Sequence, residues 1–238
     1  MTAFKTASLA SLAAAALLAA CSQPAETPAE TAAPEAAAET AVPAVPAGVY
    51  ALDPTHTAFF WSVPHNGISN YTARFSKVEA TLTLDPDDLA NSKIEAMIDP
   101  TSVSTAYPGD YKGTHPNTGF QSWDENIAQG FLKAGQFPQI TFVSTAVNPT
   151  GPRTAEVTGD LTFMGQTRPV TLNATFNGLL DRHPFLGVPA VGFAAEGSFK
   201  RSDFGMEAGP VGDEVKIRFD GEFVRQGDAA APAAGAEG

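Results

Sequence analysis

The chain has 238 residues, 43% of them hydrophobic, with 14 basic against 26 acidic side chains and a formal charge of −12. That excess of acid argues against binding nucleic acid or anionic headgroups through charge. A single cysteine, Cys21, excludes an intramolecular disulfide, so the folded part must stand on its own core.

Residues 1–20 carry a lone cation, Lys5, and then an uncharged run rich in Ala and Leu. This is the layout of a secretory signal peptide, too short and too early for a spanning helix. Leu18-Ala19-Ala20-Cys21 resembles the bacterial lipobox, which implies acylation of the Cys21 sulfur and a membrane anchor at that residue. The alternative is an ordinary signal peptide cut near Ala19 or Ala20, with the cysteine incidental. Ser22, by the same resemblance, favours the outer membrane, at its periplasmic face. Residues 21–48 are almost entirely Ala, Pro, Glu and Thr, with prolines at 24, 28, 34, 43 and 46. Such a segment has too little apolar surface to offset the entropy of ordering, so it is expected to stay disordered as a tether.

From 49 to 226 the hydrophobic period is two. Phe59, Trp61, Val63 and His65 share one face of a strand. Ala80-Leu82-Leu84, Ile94-Ala96-Ile98, Ile140-Phe142 and Val157-Leu161-Phe163 continue the pattern. Val170-Leu172-Ala174-Phe176, Phe193-Ala195-Gly197-Phe199 and Val215-Ile217-Phe219-Phe223 complete it. Turn signals separate these runs, among them Asp85–Asp88, Asn148–Pro152, Met164–Thr167 and Gly209–Asp213. Trp123, Ile127 and Phe131 recur at helical spacing and predict a helix over 122–133. The reading is all-β: about eight strands with short connections, closed as an antiparallel barrel or stacked as a sandwich. Residues 227–238 are Ala/Gly/Pro-rich and are expected to fray.

Four ordered strings then carry a family resemblance: Tyr50 to His65, Phe137 to Thr145, Gly159 to Gly165, and Arg201 to Gly205. They resemble the YceI family, although Ala73-Arg74-Phe75 replaces its usual Gly-x-Phe and Tyr107 to Gln121 is longer than its common pattern. The resemblance implies an extended eight-stranded lipocalin-like barrel with a short helix, secreted or periplasmic, enclosing a polyisoprenoid or other lipid-like chain. Phe59, Trp61, Leu161, Phe163, Phe176, Phe193, Phe199 and Phe219 are the candidate lining, with His65 placed to meet a headgroup. Each could equally fill a solid core, but small residues at inward positions (Ala96, Ala174, Ala195, Gly197) favour a slot. The expected partners are an apolar lipid, such as a polyisoprenoid, isoprenoid quinone or fatty-acid derivative, and the membrane through Cys21. No other cofactor is expected, and the sequence leaves open whether two barrels form a homodimer.

No His-x-His or Glu-x-x-His spacing points to a metal, and His56 and His65 fall on opposite faces of a continuous strand. No nucleophile elbow or phosphate loop appears, so no catalytic residue is proposed. Arg201, on the inward parity of Phe199, needs a buried acceptor: Asp160 or Asp203 is the expected partner, and an anionic or quinone-like ligand head is the alternative. The competing reading is a structural or stress-related envelope lipoprotein with a filled barrel and no ligand.

Overall fold

A computed structural model describes residues 42–207, 209 and 211–227. The expected signal peptide, Cys21 and most of the tether lie outside them. Ten strands form one antiparallel sheet: β1 (Gly48–His65), β2 (Ser69–Phe75), β3 (Val78–Leu84), β4 (Lys93–Ile98) and β5 (Val103–Ser104), then β6 (Ile140–Gly151), β7 (Thr154–Phe163), β8 (Gln166–Leu180), β9 (Ala190–Lys200) and β10 (Glu214–Arg225). Pairing of β10 with β1 closes the sheet on itself. Eight strands make the ring, because β1 is long enough to serve two partners on one edge. Its start pairs with β3 through Gly48–Ala51, and its second half pairs with β2 through Phe59–His65. The chain is therefore an eight-stranded antiparallel barrel with β2 and β5 as a side extension.

Closure follows from the alternation in the sequence. One parity of each strand turns apolar side chains inward and leaves the other to solvent, and a closed ring removes the unpaired edges of an open sheet. Two turns need a backbone that most residues avoid. Asn66-Gly67 (φ 53° and 70°) joins β1 to β2, and Met164-Gly165 (φ 49° and 74°) joins β7 to β8. Positive φ at both central positions lets the turn follow the right-handed twist of its strands.

The helical expectation over 122–133 is met by a different geometry. One α-turn, Trp123–Glu125, runs into a π-helix, Asn126–Phe131, with the Leu132 amide donating to the Ile127 carbonyl five residues back. The wider turn buries both Ile127 and Ala128. Its start is set by Ser122, whose hydroxyl accepts from the Glu125 amide, while the Glu125 carboxylate accepts from the Gln121 amide. The segment docks through Trp123, whose Nε1 donates to the Tyr71 hydroxyl at 2.7 Å, and Asp124, which accepts from the Thr105 amide. The long Tyr107–Gln121 stretch packs here as well: Tyr111 stacks on His115 at 4.6 Å and lies 5.6 Å from Trp123.

Arg201 is buried as expected, but its partner is not a carboxylate. Its Nη2 donates to the Val211 carbonyl at 2.6 Å, and Asp160 and Asp203 are exposed. Arg201 begins a short 3₁₀ turn, Arg201–Phe204, which directs the guanidinium back under the 211–213 loop. Asp213 caps that turn from Ser202, and its carboxyl is held below the usual range chiefly by the Ser202 hydrogen bonds.

Candidate ligand-binding cavity

The barrel interior is hollow at one end and packed at the other. A cavity of about 580 Å³ occupies the hollow end, walled by inward side chains of every ring strand except β1. Leu82, Ile94, Phe142, Leu172, Phe176, Phe193, Phe219 and Phe223 supply its bulk, and Ala80, Ala96, Ala174 and Ala195 leave the space between them. Where large residues face small ones across a ring of this size, the side chains do not meet in the middle. A second void of about 40 Å³ shares Ala96, Phe142 and Leu172 with the first and is also touched by Phe59 and Leu161.

Aromatic layers close the far end. Phe163, Phe199 and Phe204 pack with ring centroids 5.1–5.9 Å apart, and Trp61 packs on Tyr71 and Phe75 at 6.0 and 6.4 Å. Trp123 covers Tyr71 from below at 6.5 Å. The slot is therefore blind, with an apolar wall and a floor of aromatic rings packed edge-on or tilted.

Polar groups gather at the open end. Asp87, Ser92, Lys93, Arg153 and Thr154 form the rim. The Arg153 guanidinium lies 5.4 Å from the Phe176 ring centroid, a cation–π contact between rim and wall. Residues Val42–Val45 also border the cavity, and Val45 packs on the core. They are held there by Tyr50, fully buried, whose hydroxyl donates to the Pro46 carbonyl at 2.6 Å. Burial pushes the Tyr50 hydroxyl pKa up. Arg225 adds a donor to the Ala47 carbonyl at 3.0 Å.

The structure thus separates the residues named from the sequence. Phe176, Phe193 and Phe219 line the main cavity, while Phe59 and Leu161 touch the small void beneath it. Trp61, Phe163 and Phe199 lie in the packed floor. His65, expected to face inward, is exposed at the β1–β2 turn, at the closed end. The strand is leaving the barrel there, so inward parity no longer means enclosure. Gly197 offers no space, because the Leu172 side chain already occupies the position its Cβ would take. Phe142, Leu172, Ile94, Leu82 and Phe223 share the inward parity and could have been named on that ground. Arg153 and the 42–45 segment carry no local signal, since a turn residue and a tether reach the mouth only through the folded chain. Among the described residues, no three His, Cys, Asp or Glu side chains gather as a metal site.

A family model describing a YceI-like domain matches residues 50–223, most of the chain. The chain belongs to the YceI family. The UPF0312 protein of Pseudomonas fluorescens is 35% identical over 173 residues, covering 72% of this chain and 82% of that protein. Protein YceI of Escherichia coli O6:H1 is also 35% identical, with 72% and 83% covered. Among solved structures, BcnA of Burkholderia cenocepacia superposes with a TM-score of 0.58 at 24% identity, over 72% of this chain and 98% of that one. A polyisoprenoid binding domain from Saccharophagus degradans superposes at 0.55 with 12% identity, over 74% and 98%, a likeness of fold alone.

Proposed function

We propose that this YceI-family barrel binds a long apolar lipid in its interior, and carries or sequesters it at the cell envelope. The observation that carries the reading is the blind slot of about 580 Å³, apolar along its walls and polar only at its rim. Each methylene taken from water into such a slot contributes about 0.8 kcal/mol, so an extended chain is held without many polar contacts. A polyisoprenoid, an isoprenoid quinone or a fatty-acid derivative each fits this chemistry, and the Saccharophagus degradans neighbour of the same fold is described as polyisoprenoid binding. The lipobox-like run at Leu18–Cys21 supports an acyl anchor, and Ser22 directly after it supports a location on the periplasmic face of the outer membrane.

The test is mass spectrometry of organic extracts from the full-length protein and its Ala195→Phe variant, purified in parallel from the native host. Lipid carried by detergent or by the anchor accompanies both proteins alike, whereas a slot ligand is stoichiometric in one and depleted in the other. Equal extracts with no stoichiometric component would support a filled or empty structural lipoprotein instead.

A further inference from the structure

The β8–β9 connection, residues 181–189, bears the most exposed large apolar side chains at the open end of the barrel: Phe185 is 90% exposed and Leu186 59% exposed, with Leu180 at 48% at their base. Soluble surfaces carry single apolar residues everywhere, but a clustered group at a projecting tip marks a contact surface. This tip projects. The last pair between β7 and β8 is Thr154 with Thr175, β8 runs on through Leu180 past the end of β7, about 16 Å of further strand, and the loop stands beyond the last pair of β9 with β10, Ala190 with Val224.

The exposure is built into the turn. His183 is buried, and its Nδ1 accepts from the amides of Phe185 and Leu186 at 3.4 and 3.3 Å. The His183 amide donates to the Val188 carbonyl at 2.7 Å, and the Gly187 amide to the His183 carbonyl at 2.8 Å, with Gly187 at φ 71°. These bonds hold the backbone as a closed loop around the imidazole and leave the phenyl and isobutyl groups facing solvent.

Resting on the lipid-binding reading above, we propose that Phe185 and Leu186 insert into a phospholipid bilayer and set the open end of the barrel against it. Three observations favour a bilayer over a second copy of the chain. The tip is a short loop with two largely exposed apolar side chains, too small to supply the roughly 800 Å² per partner of a stable protein interface, yet sufficient to enter the headgroup–acyl boundary. Val42, the first described residue, borders the cavity at this same end, so the sequence link to Cys21 begins on the face that bears the tip. An apolar lipid also has to cross from a bilayer into the slot, and a mouth at the membrane surface spares it exposure to water. With a formal charge of −12, the contact is apolar rather than electrostatic.

The test uses the full-length, acylated protein reconstituted into phosphatidylcholine vesicles. With Cys21 acylated, a Leu186→Cys variant has one free thiol, which takes a nitroxide label. Ile68→Cys, at a site 86% exposed at the closed end, is the control. The expected result is that the label at 186 is relaxed by oxygen and shielded from a water-soluble nickel chelate, while the label at 68 responds to the chelate. Equal access of the chelate to both labels overturns the proposal, as does dipolar broadening between labels at 186 without lipid exposure, which would mean pairing of two copies. Lipid extracted from the same samples keeps the readings apart: a stoichiometric ligand beside a water-exposed label removes the docking surface and leaves the lipid-binding site standing.

Discussion

Enlarging Ala195 distinguishes a slot from a core most sharply. Ala195 lies on β9, opposite Phe219 on β10 and Ala174 on β8, all three on the cavity wall. Phenylalanine there projects about six further carbon atoms into the 580 Å³ space. If a bound chain must give up an equivalent length, at about 0.8 kcal/mol per carbon, the loss approaches about 5 kcal/mol, or some three orders of magnitude in Kd. A ligand that slides toward the mouth and regains half the contact still binds at least roughly tenfold more weakly. The fold should not suffer, because the ring enters space no side chain occupies. In a tightly filled barrel the same change would cost about 1–3 kcal/mol through overpacking. Titration with the fluorescent fatty acid cis-parinaric acid reads the affinity, and urea unfolding reads the stability. Unchanged parinarate affinity together with a lowered urea midpoint would refute the reasoning, since Ala195 would then belong to a core and not to a binding site.

Gly159→Ala tests the wall from outside the cavity. Its Cβ would stand 2.7 Å from the Val143 carbonyl oxygen and against the Phe142 ring, so urea unfolding should show a loss of about 1–3 kcal/mol and parinarate should bind less well as Phe142 is driven inward. Tyr50→Phe removes the hydroxyl that fastens Pro46 beside the mouth; stability should fall by about 1 kcal/mol and stopped-flow release of parinarate should quicken, and unchanged release would separate residues 42–46 from ligand exchange. Near the open end, His56 Nδ1 sits 2.8 Å from Asp53 Oδ2 at the irregularity in β1. Hydrogen bonds from Thr55 and then His56 hold the Asp53 carboxyl at about 2, and the Asp53 partner raises His56 above 6.5. The Asp53 contribution to stability is present above 3.8 and lost as pH falls toward about 2. The His56 contribution is full below 6.5 and lost as pH rises through its folded value. NMR titration of Asp53→Asn should bring His56 down toward 6.5, and a midpoint that stays raised would disprove the pairing.

Much of the barrel was legible because a half-buried strand writes its geometry into a period of two. The runs from Phe59 to Phe223 predicted the ring strands, and the alanines at 96, 174 and 195 predicted space beside the phenylalanines. The same parity rule could not rank depth along the barrel axis. Trp61, Phe163 and Phe199 point the same way as Phe176, Phe193 and Phe219, yet the first group forms the floor and the second the wall. Parity says which face a side chain takes; whether that face is filled depends on what other elements bring to the same level.

That distinction runs through the whole protein. By itself the sequence determined the all-β class, the positions of several turns such as 148–152 and 164–167, the family and the apolar interior, because these follow from local pattern and residue chemistry. Tertiary structure alone decided that β1 serves β3 and β2 on one edge and β10 on the other, and that the Trp123 segment closes one end. It also decided that Arg201 meets a carbonyl and that Val42–Val45 and Arg153 border the opening, with the 181–189 loop at the same end of the barrel. Those outcomes join residues far apart in the chain, and no local pattern encodes where two distant segments will meet.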